Sequence, residues 1–376
     1  MTWRVQAQQK SEGSVIVPGG GIVPFMMKYT YADNIGIDLT NAVNVIIEWG
    51  DGNSNTYNGS VTASHTYAEF EIYNVTIRGK LDTFVLSTGN EYLTEIVRPF
   101  DFVTGKSIIS FSGTFANCTT LESIPADLFD NCPNVTNFED TFNGCVHLLS
   151  IPSGLFDNCP NVTSFAFTFE SVNILETIPP RLFDNCPNVT SFENTFSLCE
   201  SLISIPSGLF DNNVNVISFE GTFANCISLT SIPSGLFDKN ILAESFAWTF
   251  WADLLLSSIP SGLFNNNISA TSFEGTFYGC SILTTIPSGL FDNNVNVTSF
   301  ENTFNLCEIL ASIPSGLFDN NVNVTTFEGT FENCTMLSGN APELWTRDPQ
   351  PVGLRCFIGD PQLDNYESIP ESWGGP

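Results

Sequence analysis

The residues able to do chemistry in this 376-residue chain are two histidines, eleven cysteines and forty aspartates and glutamates. Nucleophilic catalysis needs a hydroxyl or thiol beside a base that a third group orients. Only His65 and His147 could act as a neutral-pH base, and neither stands in a Ser/His/Asp or Cys/His pattern. There is no phosphate-cradling loop ending in Gly-Lys and no HExxH zinc motif. Carboxylates are plentiful, but no pair has the distinctive context expected of a glycoside-cleaving acid and base. The expectation is a protein that is not an enzyme, with no catalytic residues.

Seven cysteines recur at one position of a 27-residue lattice: Cys118, Cys145, Cys199, Cys226, Cys280, Cys307 and Cys334. Cys132, Cys159 and Cys186 share a second position, and Cys356 stands alone. The odd count, without CxxC or Cys/His clusters, speaks against zinc and against a full disulfide framework. The expectation is a ladder of buried thiols and no metal centre, since cysteine packs as a small hydrophobe.

Eleven Lys and Arg against forty Asp and Glu give a formal charge of −29. Between residues 111 and 340 the only Lys or Arg are Arg181 and Lys239. Nucleic-acid binding needs clustered cations to displace phosphate counterions, so nucleic acid is excluded as a partner, and an anionic membrane with it. No stretch approaches the ~20 apolar residues of a membrane span. The acidity reads first as solubility; Ca2+ is the one cofactor it leaves open. Residues 1–25 contain no continuous apolar run, which sets the expectation of no standard secretion signal.

The elements that would position any site come from a repeat. Ile-Pro recurs from Ile124-Pro125 to Ile313-Pro314 in steps of 27 without insertion or deletion. A period of this size predicts stacked units, each burying its apolar face on its neighbours. In the unit Thr298–Val324, Phe300, Phe304, Cys307 and Leu310 are spaced as one face of a short helix. Thr298 and Glu301 read as its capping box. Leu310–Ile313 reads as a short parallel strand and Asp319, Asn320 and Asn321 as a polar turn. Phe300, Phe304 and Phe318 predict three aromatic spines. Asn-x-Thr triplets such as Asn296–Thr298 are repeat-borne turns rather than glycosylation signals. The fold class is thus mixed: a small β-sandwich followed by an α/β leucine-rich-type solenoid and a C-terminal cap. The expected divisions are an N-terminal arm or anchor at 1–21, the sandwich at 22–80 and a degenerate first repeat at 81–110. The repeats follow at 111–340 and the cap at 341–376. Leu93, Ile96, Phe100 and Phe102 mark the connector as packed.

Three separated motifs carry a resemblance: Trp49-Gly50-Asp51-Gly52, His65-Thr66-Tyr67, and Tyr73-Asn74-Val75-Thr76-Ile77. In this order they resemble the PKD family of immunoglobulin-like domains, where the motifs are structural. The repeat core, as in Thr114–Leu121, resembles BspA-like leucine-rich repeats, and Ala341–Trp345 and Asn365–Trp373 look like that group's terminal unit. The pairing is similar to surface proteins of Bacteroidetes and of viruses that infect bacteria. The resemblance implies adhesion or surface display.

Two units break the lattice together. Ala166 and Ala247 replace the capping Glu or its equivalent, Phe167 and Trp248 stand where other units have Gly, Asn or Asp, and Val172 and Asp253 replace the lattice Cys. Trp251 follows in the second of these units. The small or polar occupants elsewhere suggest an outward position. Phe167, Trp248 and Trp251 are therefore candidate exposed aromatics for contact with a partner protein or sugar rings; repacking around the lost Cys is the other reading. The leading expectation is a non-enzymatic structural or adhesive virion protein of a bacteriophage, a fibre, decoration or host-attachment component. The alternative is a bacterial cell-surface adhesin. Partners would be virion or cell-surface proteins or surface glycans, with no membrane insertion; an oligomer stays open.

Overall fold

The computed structural model describes residues 23–376; the arm expected at 1–21 lies outside them. Six antiparallel strands come first: β1 (Phe25–Thr30), β2 (Asn34–Glu48), β3 (Ser54–Thr66), β4 (Ile72–Lys80), β5 (Thr83–Thr88) and β6 (Leu93–Arg98). They pair in the order β3-β2-β4-β1-β6, with β5 on β2. Alternation drives this assembly: along β1, Phe25, Met27 and Tyr29 are buried while the residues between them are half-exposed. β2 pairs with β3 along its length, while its other edge pairs with β5 at Gly36–Thr40 and with β4 at Val43–Glu48; register shifts near Ala42 fall where it changes partner.

The three motif segments meet at one end of the sheet. Tyr67 donates its hydroxyl to the Trp49 carbonyl at 2.7 Å, and His65 Nε2 lies 2.7 Å from Asp51 Oδ2. The Trp49 and His65 rings stack at 5.1 Å. Burial alone would raise the Asp51 carboxyl, but the Asn53 N–H and His65 outweigh it and hold it at about 2. These contacts brace a turn.

β5 and β6 fall within the stretch read as a connector, and they serve both parts. Phe84 of β5 stands 27 residues before Phe111 and meets its ring at 6.4 Å. Thr114 donates to the Phe84 carbonyl at 2.8 Å, as Thr141 does to Phe111 at 3.0 Å one unit later. β6 in turn forms a parallel bridge, Glu95 to Ser123. Leu93, Ile96 and Phe100 are buried; the Phe102 side chain lies outside the described set. Phe25, Phe84 and Phe100 run on into Phe111 and Phe115 without a break, so sheet and repeats share one core.

The repeats form stacked coils, and here the sequence expectation needs correction. The α/β assignment fails because the coils contain no helix; among the described residues the α-helix is α1 (Phe102–Ser107), just ahead of them. In the unit from Thr298, Thr303, Asn305 and Cys307 donate to Phe300, Asn302 and Phe304 of their own coil at 3.1–3.2 Å. The alternate residues Phe300, Asn302, Phe304 and Leu306 donate instead to Thr326, Glu328, Thr330 and Glu332 of the next coil. Splitting the N–H groups between two coils is incompatible with an i→i−4 ladder. Left-handed backbone enforces it: Asn302 has φ 55° and Leu306 φ 58°. The capping box also fails. Thr298 Oγ1 donates to the Thr271 carbonyl at 3.2 Å, and the Glu301 N–H is taken by Ser299 Oγ at 3.2 Å. Regular parallel bridging falls at the Ser299 position, not at Leu310–Ile313, where only scattered bridges such as Ser312 to Ser338 occur.

The three aromatic columns are present. Phe300 follows Phe273 at 5.8 Å, Phe304 follows Phe277 at 5.6 Å, and Phe318 follows Phe291 at 6.1 Å, all stacked. Each fully buried Phe contributes roughly 1.5–3 kcal/mol by transfer from water, and the coils from Phe111 to Phe318 hold three each. All eleven cysteines are free and buried, and several donate a weak S–H bond to a carbonyl of the preceding coil, as Cys307 does to Phe277 at 3.3 Å.

A second polar ladder was hidden in the sequence. Asn321, read as a surface turn residue, is fully buried and donates to Phe291 and Asn294 of the preceding coil at 3.1 and 3.0 Å. Asn294, Asn267, Asn240 and Asn213 repeat the pattern. Cys186 and Cys159 occupy the same position earlier. Arg347 ends the ladder. Its guanidinium donates to the Asn321 and Phe318 carbonyls at 2.9 and 2.7 Å and covers the Phe327 ring at 5.2 Å. Beyond it Phe357 stacks on Phe331 at 5.8 Å, while Trp345 meets Trp373 edge-on at 6.2 Å.

Candidate functional site

The coil backbone first decides what can stand at the surface. The position shared by Gly113, Asp140, Phe167, Asn194, Gly221, Trp248, Gly275, Asn302 and Gly329 has φ between 48° and 64° throughout. Gly, Asn and Asp prevail there because they tolerate left-handed backbone, not because the position must face outward. Phe167 and Trp248 therefore carry strain that the coil around them must hold.

Side chains at this position lean over the next coil. A β-carbon on Gly221 would collide with the Asn194 amide, one on Gly329 with Asn302, and one on Gly275 with the Trp248 indole. The glycine that follows Trp248 is what admits its indole, whereas Phe167 is followed by Asn194. Trp248 is half-buried over Gly275, its ring 6.0 Å from Tyr278. Trp251, three residues on, is 39% exposed. Phe167 is half-buried.

Trp248, Trp251 and Tyr278 form one wall of a groove of about 600 Å³ that crosses the coils. Asn194, Ser197, Gly221 and Ala224 are its small or polar lining, and Leu198, Glu170 and Glu220 complete it. Coils spaced at ~4.8 Å give the groove, from Glu170 to Tyr278, a length of roughly 20 Å. The structure thus brings Trp248 and Trp251 together; Phe167 does not line this groove. Tyr278, Glu170 and Glu220 were not singled out from sequence. The available signal was Tyr278 standing 27 residues after Trp251.

One negative column borders the site, and Glu170 adds a carboxylate at one end of it. The Glu301 position holds Glu139, Glu193, Glu220, Glu274, Glu301 and Glu328, with Ala166 and Ala247 as gaps. Burial raises both Glu193 and Glu274, and neighbouring glutamates add to it, Glu220 and Glu139 for the first and Glu301 and Glu220 for the second. Burial also raises Glu170, although Asn143 donates to it at 2.8 Å. No Lys or Arg lines the groove.

Asp253, in the lattice cysteine position, is fully buried and its Oδ1 accepts the Cys226 N–H at 2.8 Å. Burial pushes its carboxyl well above the ordinary range. It lies in the same coil as Trp251, inside the core rather than in the groove. Elsewhere the chemistry-bearing residues have structural partners. His147 Nδ1 lies 2.5 Å from the Thr119 carbonyl. Burial raises thiols such as Cys132, Cys159 and Cys307 far above the range in which a thiolate forms. No cluster of His, Cys, Asp and Glu able to hold a metal occurs among the described residues. No described helix is long and apolar enough to cross a membrane.

By structure the chain is similar to a leucine rich cell surface protein of Faecalibacterium prausnitzii, 19% identical, with 75% of this chain and 89% of that chain covered and a TM-score of 0.32. No protein-family model matches the sequence. No curated protein matches it either.

Proposed function

We propose that this chain is a non-enzymatic adhesive protein displayed at a surface, its coils forming a leucine-rich-type solenoid beside a PKD-like sheet domain. The observation that carries this reading is the groove. Three aromatic side chains, two of them on a coil that departs from its lattice, are held at the surface by a rigid stack. Aromatic anchors beside polar groups are the usual core of a contact surface. The partner is a surface protein or glycan of a cell or particle.

The displaying body is a bacteriophage particle, on the pairing of sheet domain and repeat array, which resembles such proteins; a bacterial cell envelope is the other home of that architecture. The acidic, Lys- and Arg-poor coils fit neither nucleic acid nor an anionic membrane.

Labelled protein retained on washed bacterial cells and on a glycan array tests the contact surface. The Trp248→Ala/Trp251→Ala double variant is expected to lose at least tenfold in retention with its melting temperature nearly unchanged. Equal retention would contradict the groove as contact surface, and a large fall in melting temperature would make the tryptophans core residues.

A further inference from the structure

We infer that the groove takes cationic side chains, so that its occupant is an extended, arginine- or lysine-bearing protein segment. This rests on the groove being the contact surface. The chain itself shows how a carboxylate of the Glu301 column receives a guanidinium. In the last coil the Gly329 N–H donates to the Leu354 carbonyl at 2.9 Å. That pairing puts Arg355 in the left-handed position that Trp248 holds in its own coil, and its φ is 59°. Its guanidinium reaches Glu328 at 3.8 Å and Glu332 at 3.6 Å.

Glu220 stands in the column of Glu328, four units of 27 residues earlier, and Glu170 in the column of Glu332, six units earlier. Glu220 thus stands to Trp248 as Glu328 stands to Arg355, with Ala224 at the Glu332 place and Glu170 two coils away, and the groove supplies carboxylates but no cation of its own. Arg181, one of the two cations of the repeat region, is bound to Asp184 at 2.6 Å, and Lys239 does not line the groove. In place of the cation stand Trp248, Trp251 and Tyr278. Aromatic faces attract ammonium and guanidinium groups through their quadrupole, and more strongly when water is excluded. Carboxylates beside them add charge-assisted hydrogen bonds. A formal charge of −29 steers basic partners towards the chain and acidic ones away. A groove of roughly 20 Å holds about six residues of extended chain at ~3.3 Å each.

Octa-arginine and its uncharged isostere octa-citrulline, titrated against the whole chain at 0.15 M salt with tryptophan emission as readout, test this. Octa-arginine is expected to saturate, with octa-citrulline at least tenfold weaker. Trp251→Ala and Glu220→Gln should each weaken octa-arginine at least fivefold, while Glu122→Gln, on an exposed carboxylate outside the groove, should leave it unchanged. Should Trp251→Ala fold poorly, Glu220→Gln carries the test alone. Equal binding by wild type, Trp251→Ala and Glu220→Gln would reduce the effect to bulk charge and overturn the inference. Chitohexaose bound in a Trp251-dependent way, with no octa-arginine binding, would also overturn it while leaving the groove as contact surface. Loss of both the peptide effect and the cell-retention effect would remove the groove reading itself.

Discussion

Asn267 shows how much one side chain settles in this molecule. It is fully buried and its amide bridges two carbonyls of the preceding coil, at 3.0 and 2.9 Å. Removing it takes one of two hydrogen bonds from each carbonyl, Phe237 keeping the Asn240 N–H and Asn240 the Ala243 N–H, at about 0.5–1.5 kcal/mol per bond lost. Cysteine fills this position in three earlier coils, so Asn267→Cys should cost less than Asn267→Leu, which supplies no donor; urea denaturation of the two variants measures the difference. Trp248 gives a second case. Its indole overlies Gly275, whose φ is 55°. Gly275→Ala adds both backbone strain and a clash, and an expected loss of about 1–3 kcal/mol in the same measurement. A neutral Gly275→Ala would show that Trp248 does not pack there.

At the scale of the element, the coil explains which parts of the sequence were readable. The period, the three Phe columns and the buried thiols follow from burial, which any stack of 27-residue units must satisfy. The helix did not follow, because apolar residues at i, i+4 and i+7 also suit a coil whose corners turn at left-handed residues. The Gly, Asn and Asp run at the Asn302 position held that signal, being the residues that accept positive φ. The groove was half legible: Trp248 and Trp251 stood out by breaking the repeat, whereas Glu170 and Tyr278 reach it only through stacking of distant coils.

The end of the stack is an element with its own requirements. Arg347 supplies the two hydrogen bonds that the next coil's Asn would have made. Arg347→Met keeps the aliphatic cover but takes the guanidinium from the Asn321 carbonyl and leaves the Phe318 carbonyl with only the Asn321 N–H; a loss of about 1–3 kcal/mol is expected. Asp360, fully buried in the terminal unit, is raised by burial to about 8 from an ordinary 3.8. A carboxyl raised in the folded state binds its proton more tightly there than in the unfolded chain. Its stabilisation is complete below about pH 4 and fades as the pH rises towards 8. Asp360→Asn should flatten the stability profile across that window, as read by thermal melts at stepped pH; an unchanged profile would place the pH dependence elsewhere.

For the molecule as a whole, sheet and coils form one continuous core that begins at Phe25 and ends at Trp373. Such a body is stiff along its length, since every coil is bonded to both neighbours. Stiffness holds the tryptophans of one coil, the tyrosine of the next and the glutamates of earlier coils in fixed relation without a ligand present, which lowers the ordering cost of binding. A site spread over several coils cannot survive loss of the stack. Removal of residues 341–376 would uncover Phe327 and Phe331, and binding would be lost together with folding.

Display is the claim on which the functional account rests. Peptide mass spectrometry of the source culture, fractionated into purified virus-like particles, washed cell envelopes and cytosol, tests it most directly. The account predicts enrichment in particles at a fixed copy ratio, or failing that in envelopes. Recovery chiefly from the cytosol, absent from both surfaces, would contradict it.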